Sequence, residues 1–163
     1  MIDPSEVHAA SEKFIDENNA FREFLREHAN PKELDNQFYI LHNELFSGYN
    51  CSACGNCCRI YYIVLRKGEV GSIASYLGIS NREFIATYLT LIGEEHGIKP
   101  PCAFLSPDGL CLIQECKPEV CRDYPYTDKK ERLSAMWSII SAAEHCPVVF
   151  EILERLKMIY QFK

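Results

Sequence analysis

Four cysteines fall within eight residues, Cys51, Cys54, Cys57 and Cys58, in the order C-x2-C-x2-C-C. Five more follow, at Cys102, Cys111, Cys116, Cys121 and Cys146. Nine thiols in a 163-residue chain constrain the fold more than anything else in it, because they must pair, react or bind metal. An odd number fits disulfides poorly. The N-terminal stretch MIDPSEVHAASEKFIDENN has no basic n-region and no apolar h-region. The expectation is therefore no signal peptide and a reducing, cytoplasmic location, where a thiol cluster binds metal or catalyses. Two residues between cysteines is the spacing at which a turn aims two thiolates at one centre. Gly55 supplies the backbone freedom for such a turn.

The C-x2-C-x2-C run matches the first three ligands of a ferredoxin-type cluster, whose remaining ligand is a distant cysteine followed by proline. This chain has one such pair, Cys146-Pro147. Adjacent side chains of an extended segment point to opposite sides. On that basis Cys57 and Cys58 are expected to serve different centres, or different corners of one large cluster. One division places Cys51, Cys54, Cys57 and Cys146 at one site and Cys58, Cys102, Cys111 and Cys121 at another. Tetrahedral zinc sites would draw on the same eight thiols in other combinations. Cys116 reads equally well as a small buried hydrophobe. Arg59 and Arg122 each directly follow a cysteine. A guanidinium there offsets thiolate charge and donates N–H···S bonds, or is an ordinary surface arginine. The five histidines show neither H-x3-H nor HExxH spacing, and only His145 adjoins a cysteine.

The remaining pattern is mostly helical. Residues 3–29 read as one helix carrying Phe14, Phe21, Phe24, Leu25 and His28, and residues 31–46 as a second carrying Leu34, Phe38, Leu41 and Leu45. The cysteine loop spans 49–59, and IYYIVL at 60–65 reads as a short strand. A short helix over 68–77 stops at Gly78, and Ser80-Asn-Arg-Glu83 opens another. Residues 93–101 read as a breaker-rich loop. Pro107-Asp108-Gly109 turns a β-hairpin over 102–114. A helix over 128–144 turns Leu133, Met136, Trp137 and Ile140 inward, and Pro147 opens a last one bearing Val148, Ile152, Leu156 and Ile159. The expected fold class is α+β and mostly helical: a small metal-centred domain with a short β-hairpin and cysteine-rich loops flanked by amphipathic helices. Residues 1–163 form a single domain on this reading, with a helical hairpin at 1–48, the cysteine region at 49–147, and C-terminal helices at 128–163. The stripes at Phe14, Phe21, Leu41, Leu45, Trp137, Ile140, Ile152 and Leu156 are expected to be buried.

Composition closes off other classes. The chain is 47% hydrophobic and 25% charged, which excludes dominant disorder. A net charge of −6 argues against a nucleic-acid partner. No run approaches a membrane span, so no membrane partner is expected. No G-x-G-x-x-G turn offers a dinucleotide site.

The blocks CSACGNCCR and PCAFLSPDGLCLIQECKPEVCRDYP and the later CP resemble the cysteine-cluster proteins described as zinc- or iron-chelating, whose hallmark is CxxCxxCC. The resemblance covers about residues 49–147. It rests on Cys51, Cys54, Cys57, Cys58, Arg59, Cys102, Phe104, Leu105, Gly109, Cys111, Pro118, Cys121, Arg122, Pro125 and Cys146. It departs at Cys116, at Tyr124-Pro125-Tyr126 and at Val148. The same cluster occurs in flagellin lysine N-methylases, which implies an iron–sulfur centre and methyl transfer. Three functions therefore stand as expectations. One is an iron–sulfur protein, a [4Fe-4S] type included, for electron transfer, sensing or metal handling. Another is a zinc-bound structural or interaction module, with an unknown protein partner. The third is a cluster-dependent lysine methyltransferase, although no residue presents itself as acid, base or nucleophile.

Overall fold

The protein is seen in a computed structural model that describes residues 1–163, except the side chain of Ile92. In chain order the elements are α1 (Val7–Lys13), α2 (Ile15–His28), α3 (Pro31–Phe46), α4 (Cys51–Cys54), α5 (Asn56–Ile60), β1 (Ile63–Val64), α6 (Glu69–Leu77), α7 (Asn81–Tyr88), β2 (Thr90–Ile92) and β3 (Glu95–Ile98). A 3-10 turn (Gln114–Cys116), α8 (Glu119–Asp123), α9 (Met136–Ala143) and α10 (Pro147–Ile159) complete the chain. The protein is thus mostly helical with one small antiparallel sheet, as the sequence pattern predicts. Among the described residues no helix is long and apolar enough to cross a membrane. The elements fall into two compact units, Met1–Asn50 with Pro125–Lys163, and Cys51–Tyr124.

The first unit is a helical assembly. Asn30 caps α3, its side chain accepting from the Lys32 and Glu33 N–H groups at 3.0 and 3.3 Å, with Pro31 in the first position. The stripe Leu34, Phe38, Leu41 and Leu45 is buried, as are Phe21 and Leu25 of α2. They join Met136, Ile139 and Ile140 of α9 and Val148, Ile152 and Leu156 of α10 in the core. Each such side chain contributes about 1.5–3 kcal/mol by leaving water.

Three expectations need correction here. The helix expected over 3–29 breaks at Phe14, which leaves helical geometry at φ −107° and ψ 6°. Its half-buried ring packs edge-on to Phe150, centroids 5.8 Å apart, and beneath the Lys157 ammonium at 5.0 Å. That ammonium is buried and paired with Glu17 at 2.8 Å and Glu154 at 2.6 Å. These contacts fix the break. The helix expected from residue 128 begins only at Met136. The Asp35 carboxylate accepts from the N–H groups of Glu131 and Arg132 at 2.9 and 2.8 Å, and Arg132 donates to the Tyr126 and Lys130 carbonyls. The segment is therefore satisfied as turns. Trp137 is 59% exposed instead of buried, with the Arg22 guanidinium stacked 3.7 Å from its ring centroid.

The second unit holds the sheet, in the order β1-β3-β2 and antiparallel throughout. Ile63 faces Ile98 and Leu91 faces His96. Three sequence expectations shift here. The stretch expected as a loop over 93–101 supplies β3, because β2 and β3 form a hairpin around Gly93. The strand expected over 60–65 is confined to Ile63–Val64, and the hairpin expected over 102–114 is reduced to one bridge, Leu105 with Cys111. Behind the sheet lies a core of Ile63, Ile73, Ala74, Phe84, Ile98, Phe104 and Ile113. Phe84 and Phe104 stack with centroids 6.1 Å apart. Ser80 caps α7 through the Glu83 N–H at 3.2 Å, as its capping-box spacing predicts. Cys102, Cys111, Cys116 and Cys121 pack, partly buried, against this core.

Candidate metal centre

The segment expected as an irregular loop folds as two short helices, α4 and α5, joined at Gly55 in the left-handed region at φ 62°. The Arg59 guanidinium folds over this joint and donates to the Cys54 carbonyl at 2.8 Å. The glycine is needed for its φ; a Cβ there would stand 2.8 Å from Arg59 Nη1 and push the guanidinium aside. The second cysteine block is then tied to the first at two points. The Cys102 N–H donates to the Cys58 carbonyl at 2.8 Å. Gly109, at φ 84°, lies so close to α4 that a Cβ would stand 2.7 Å from the Ser52 carbonyl oxygen.

The third block, α8 with Cys121, is anchored by a residue remote in sequence. The Glu69 carboxylate accepts from the Glu119 N–H at the start of α8 and from the Arg66 N–H, both at 2.7 Å. Arg66 in turn pairs with the Glu119 carboxylate. Arg122 donates to the Lys117 carbonyl. Arg59 and Arg122 thus each bond a backbone carbonyl five residues earlier.

These ties surround a cavity of about 230 Å³. Five of the expected ligands line it: Cys57, Cys58, Cys102, Cys111 and Cys121. Cys57 and Cys58 reach the same cavity, contrary to the expectation of opposite directions, because they sit on a helical turn and not on an extended segment. Cys51, exposed, and Cys54, half-buried, lie on the adjoining α4, where the Cys51 thiol feels the charge of Cys54 and Cys58. Cys146 belongs to the other unit, where it is buried at the start of α10. Among the described residues no three Cys, His, Asp or Glu side chains are already closed around a point as a bound ion would hold them. The thiols stand around a space instead.

Their protonation is uneven. Cys57 donates to Cys58, which pulls the Cys58 thiol down to about 6 and pushes Cys57 up. The positive charges of Lys117 and Arg59 add to the effect on Cys58. Burial pushes Cys121 up to about 12 and raises Cys51 and Cys102 as well. Cys58 is therefore the thiol most readily deprotonated among these, while Cys51, Cys57, Cys102 and Cys121 must lose a proton to bind metal. Burial and the nearby charge of Cys111 raise Cys116, which does not line the cavity.

Sequence reasoning passed over Lys117, Tyr61 and Tyr124, which also line the cavity. The Tyr124 hydroxyl donates to that of Tyr61 at 3.5 Å, with ring centroids 5.4 Å apart. The signal for Lys117 was its place in CKPEVCR, between two cysteines; nothing in sequence points to the tyrosine pair.

Comparison with curated proteins and with solved structures gives no match, so the likeness to flagellin methylases gains no support. Comparison with family models matches residues 50–147 to CxxCxxCC, described as "Putative zinc- or iron-chelating domain". The match takes in every cysteine of the chain and more than half its length, and the chain belongs to the CxxCxxCC family.

Proposed function

We propose that the Cys51–Tyr124 unit is a thiolate-ligated metal centre whose occupant is an iron–sulfur cluster serving electron transfer or sensing. The observation that carries this is the pairing of five thiols with a cavity of about 230 Å³. Four thiolates closing on one zinc at about 2.3 Å leave no space of that size, whereas a cluster of several metal and sulfide atoms fills one. The donor set fits: thiols are the only strong ligands on the wall, since its other residues are apolar, tyrosine and one lysine. Cys57, Cys58, Cys102, Cys111 and Cys121 form the ligand pool, with Cys51 and Cys54 on the adjoining helix of the same unit.

A bound cluster supplies one-electron chemistry at a potential set by its net charge, hydrogen bonds and exposure. The chain supplies the rest. Ile63, Ile98, Ile113 and Val120 line the cavity with apolar surface. Arg59 and Arg122 fix the backbone turns that aim the thiols, and the Tyr61–Tyr124 pair closes the aromatic side.

Anaerobic purification tests the reading. Brown protein with broad absorption near 400 nm, carrying iron and acid-labile sulfide, supports it. Colourless protein with stoichiometric zinc replaces it with the zinc-bound structural module.

A further inference from the structure

We propose that Lys117 is the fixed countercharge of the thiolate centre: its ammonium holds the metal-loaded form against loss and sets how readily the centre accepts an electron. This rests on the metal-centre reading above. Of the described residues that line the cavity, Lys117 is the one with a full charge, and no carboxylate lies among them. A centre closed by four thiolates is anionic with either zinc or an iron–sulfur cluster, so a cation in its wall is attracted more strongly to the loaded form than to neutral thiols.

The chain holds the residue in place. Lys117 ends the 3-10 turn in an extended conformation, φ −53° and ψ 132°, and the following Pro118 disfavours a helical alternative. Its carbonyl is held by Arg122. The two arginines, which sequence alone suggests as countercharges, have their guanidinium groups engaged by backbone carbonyls. Lys117 also acts on thiols of the first and third cysteine blocks: its charge favours the thiolates of Cys51, Cys57, Cys58 and Cys121. Arg59 does so for Cys58. One ammonium thus serves thiols on α4, α5 and α8 together.

The test compares the metal-loaded wild-type chain with Lys117→Gln, Lys117→Met and Lys117→Arg. Metal loss to excess EDTA is followed anaerobically, with the helical circular-dichroism signal matched to wild type. Both neutral variants should release metal faster, on the order of tenfold, the scale seen when support of a metal ligand is removed. Lys117→Arg should restore most of the retention. In iron-loaded protein the ratio of reduced to oxidised centre at fixed poise should fall about tenfold in the neutral variants, which is roughly 59 mV for one electron. Two neutral variants guard against one failing to fold. Wild-type release rates in both overturn the assignment and leave the metal centre standing. Equal loss in Lys117→Arg and Lys117→Gln also overturns it, because shape and not charge would then be the cause. A wild-type chain that retains neither iron nor zinc overturns the metal-centre reading and this proposal with it.

Discussion

The two units solve the same problem by different means. In the unit made of Met1–Asn50 and Pro125–Lys163, helices of 14, 16 and 13 residues bury continuous apolar stripes, and the ordering cost is offset by area removed from water. In Cys51–Tyr124 the helices run from 4 to 9 residues and the strands from 2 to 4. Helices that short do not persist by propensity. A core of seven buried side chains supports one side of this unit, and the other side is a wall of thiols. Ordering each residue costs about 1–2 kcal/mol, so ligand bonds have to offset what burial does not. The comparison predicts that the chain relies on its hydrophobic core at the ends and on metal in the middle.

The sharpest way to break that comparison is to take the metal away. Chelation under reducing conditions should leave most of the helical signal, which comes from α2, α3, α9 and α10. It should expose residues 51–124 to protease, with the cuts mapped by mass. Uniform resistance across that stretch would show that the cysteine segments fold without metal.

Removing one ligand is the next largest effect. Structural thiolate sites contribute about 10–16 kcal/mol apparent, so one ligand of four is worth roughly 3 kcal/mol, or about 100-fold in metal affinity. Cys57→Ser and Cys58→Ser should show this loss alike in a competition titration, because both side chains line one cavity. Cys116→Ser should stay near wild type, since that thiol is not part of the wall. Strong loss in only one of the adjacent pair would return the two-centre division that sequence spacing suggests.

How much of this was legible in sequence follows the same divide. Where a stripe is long, period alone sufficed: Phe21, Leu41, Leu45, Ile140, Ile152 and Leu156 are buried as expected. Trp137 stays exposed because the buried face of α9 runs through Met136, Ile139 and Ile140, one step round the helix from it, and its ring stacks with Arg22 at the surface instead, a contact 115 residues away in sequence that periodicity does not carry. The thiol cluster was legible from spacing and composition. Its geometry was not. The expectation that Cys57 and Cys58 diverge assumed an extended backbone, and Gly55 with Arg59 makes it helical instead. Strand β3 was hidden in GEEHGIKPP because its pairing with β1 is long-range and its polar residues face outward. Glu69 acts through position alone, which no local pattern encodes.

A smaller perturbation separates the two supports further. Gly109→Ala places a methyl against the Ser52 carbonyl and asks a non-glycine residue to hold φ 84°. The strain is about 1–3 kcal/mol. It falls on the tie between the 102–111 segment and α4, so metal retention should drop severalfold while the melting of the helical unit stays unchanged. An unchanged metal-release rate in Gly109→Ala would mean that this tie does not hold the thiols in place.

The smallest effect concerns pH and belongs to the helical unit. His42 on α3 sits half-buried with Nδ1 at 2.8 Å from Oγ1 of the fully buried Thr127. Burial lowers its pKa, against the pull of Asp128 and with a lesser push from Lys129. The folded state therefore binds the proton less readily than the unfolded state does. A group with a depressed folded pKa contributes stability that is present above its unfolded value, near 6.5, and is lost as pH falls through the folded one. Wild-type protein should thus lose melting temperature between pH 7 and pH 5 more steeply than His42→Gln, which has no ring to protonate but keeps a polar group for Thr127. The gap between the two melting temperatures should narrow as pH falls. Parallel pH profiles would show that the ring is solvated enough to titrate freely, and that the His42–Thr127 contact holds α3 to the 125–135 turns equally in both protonation states.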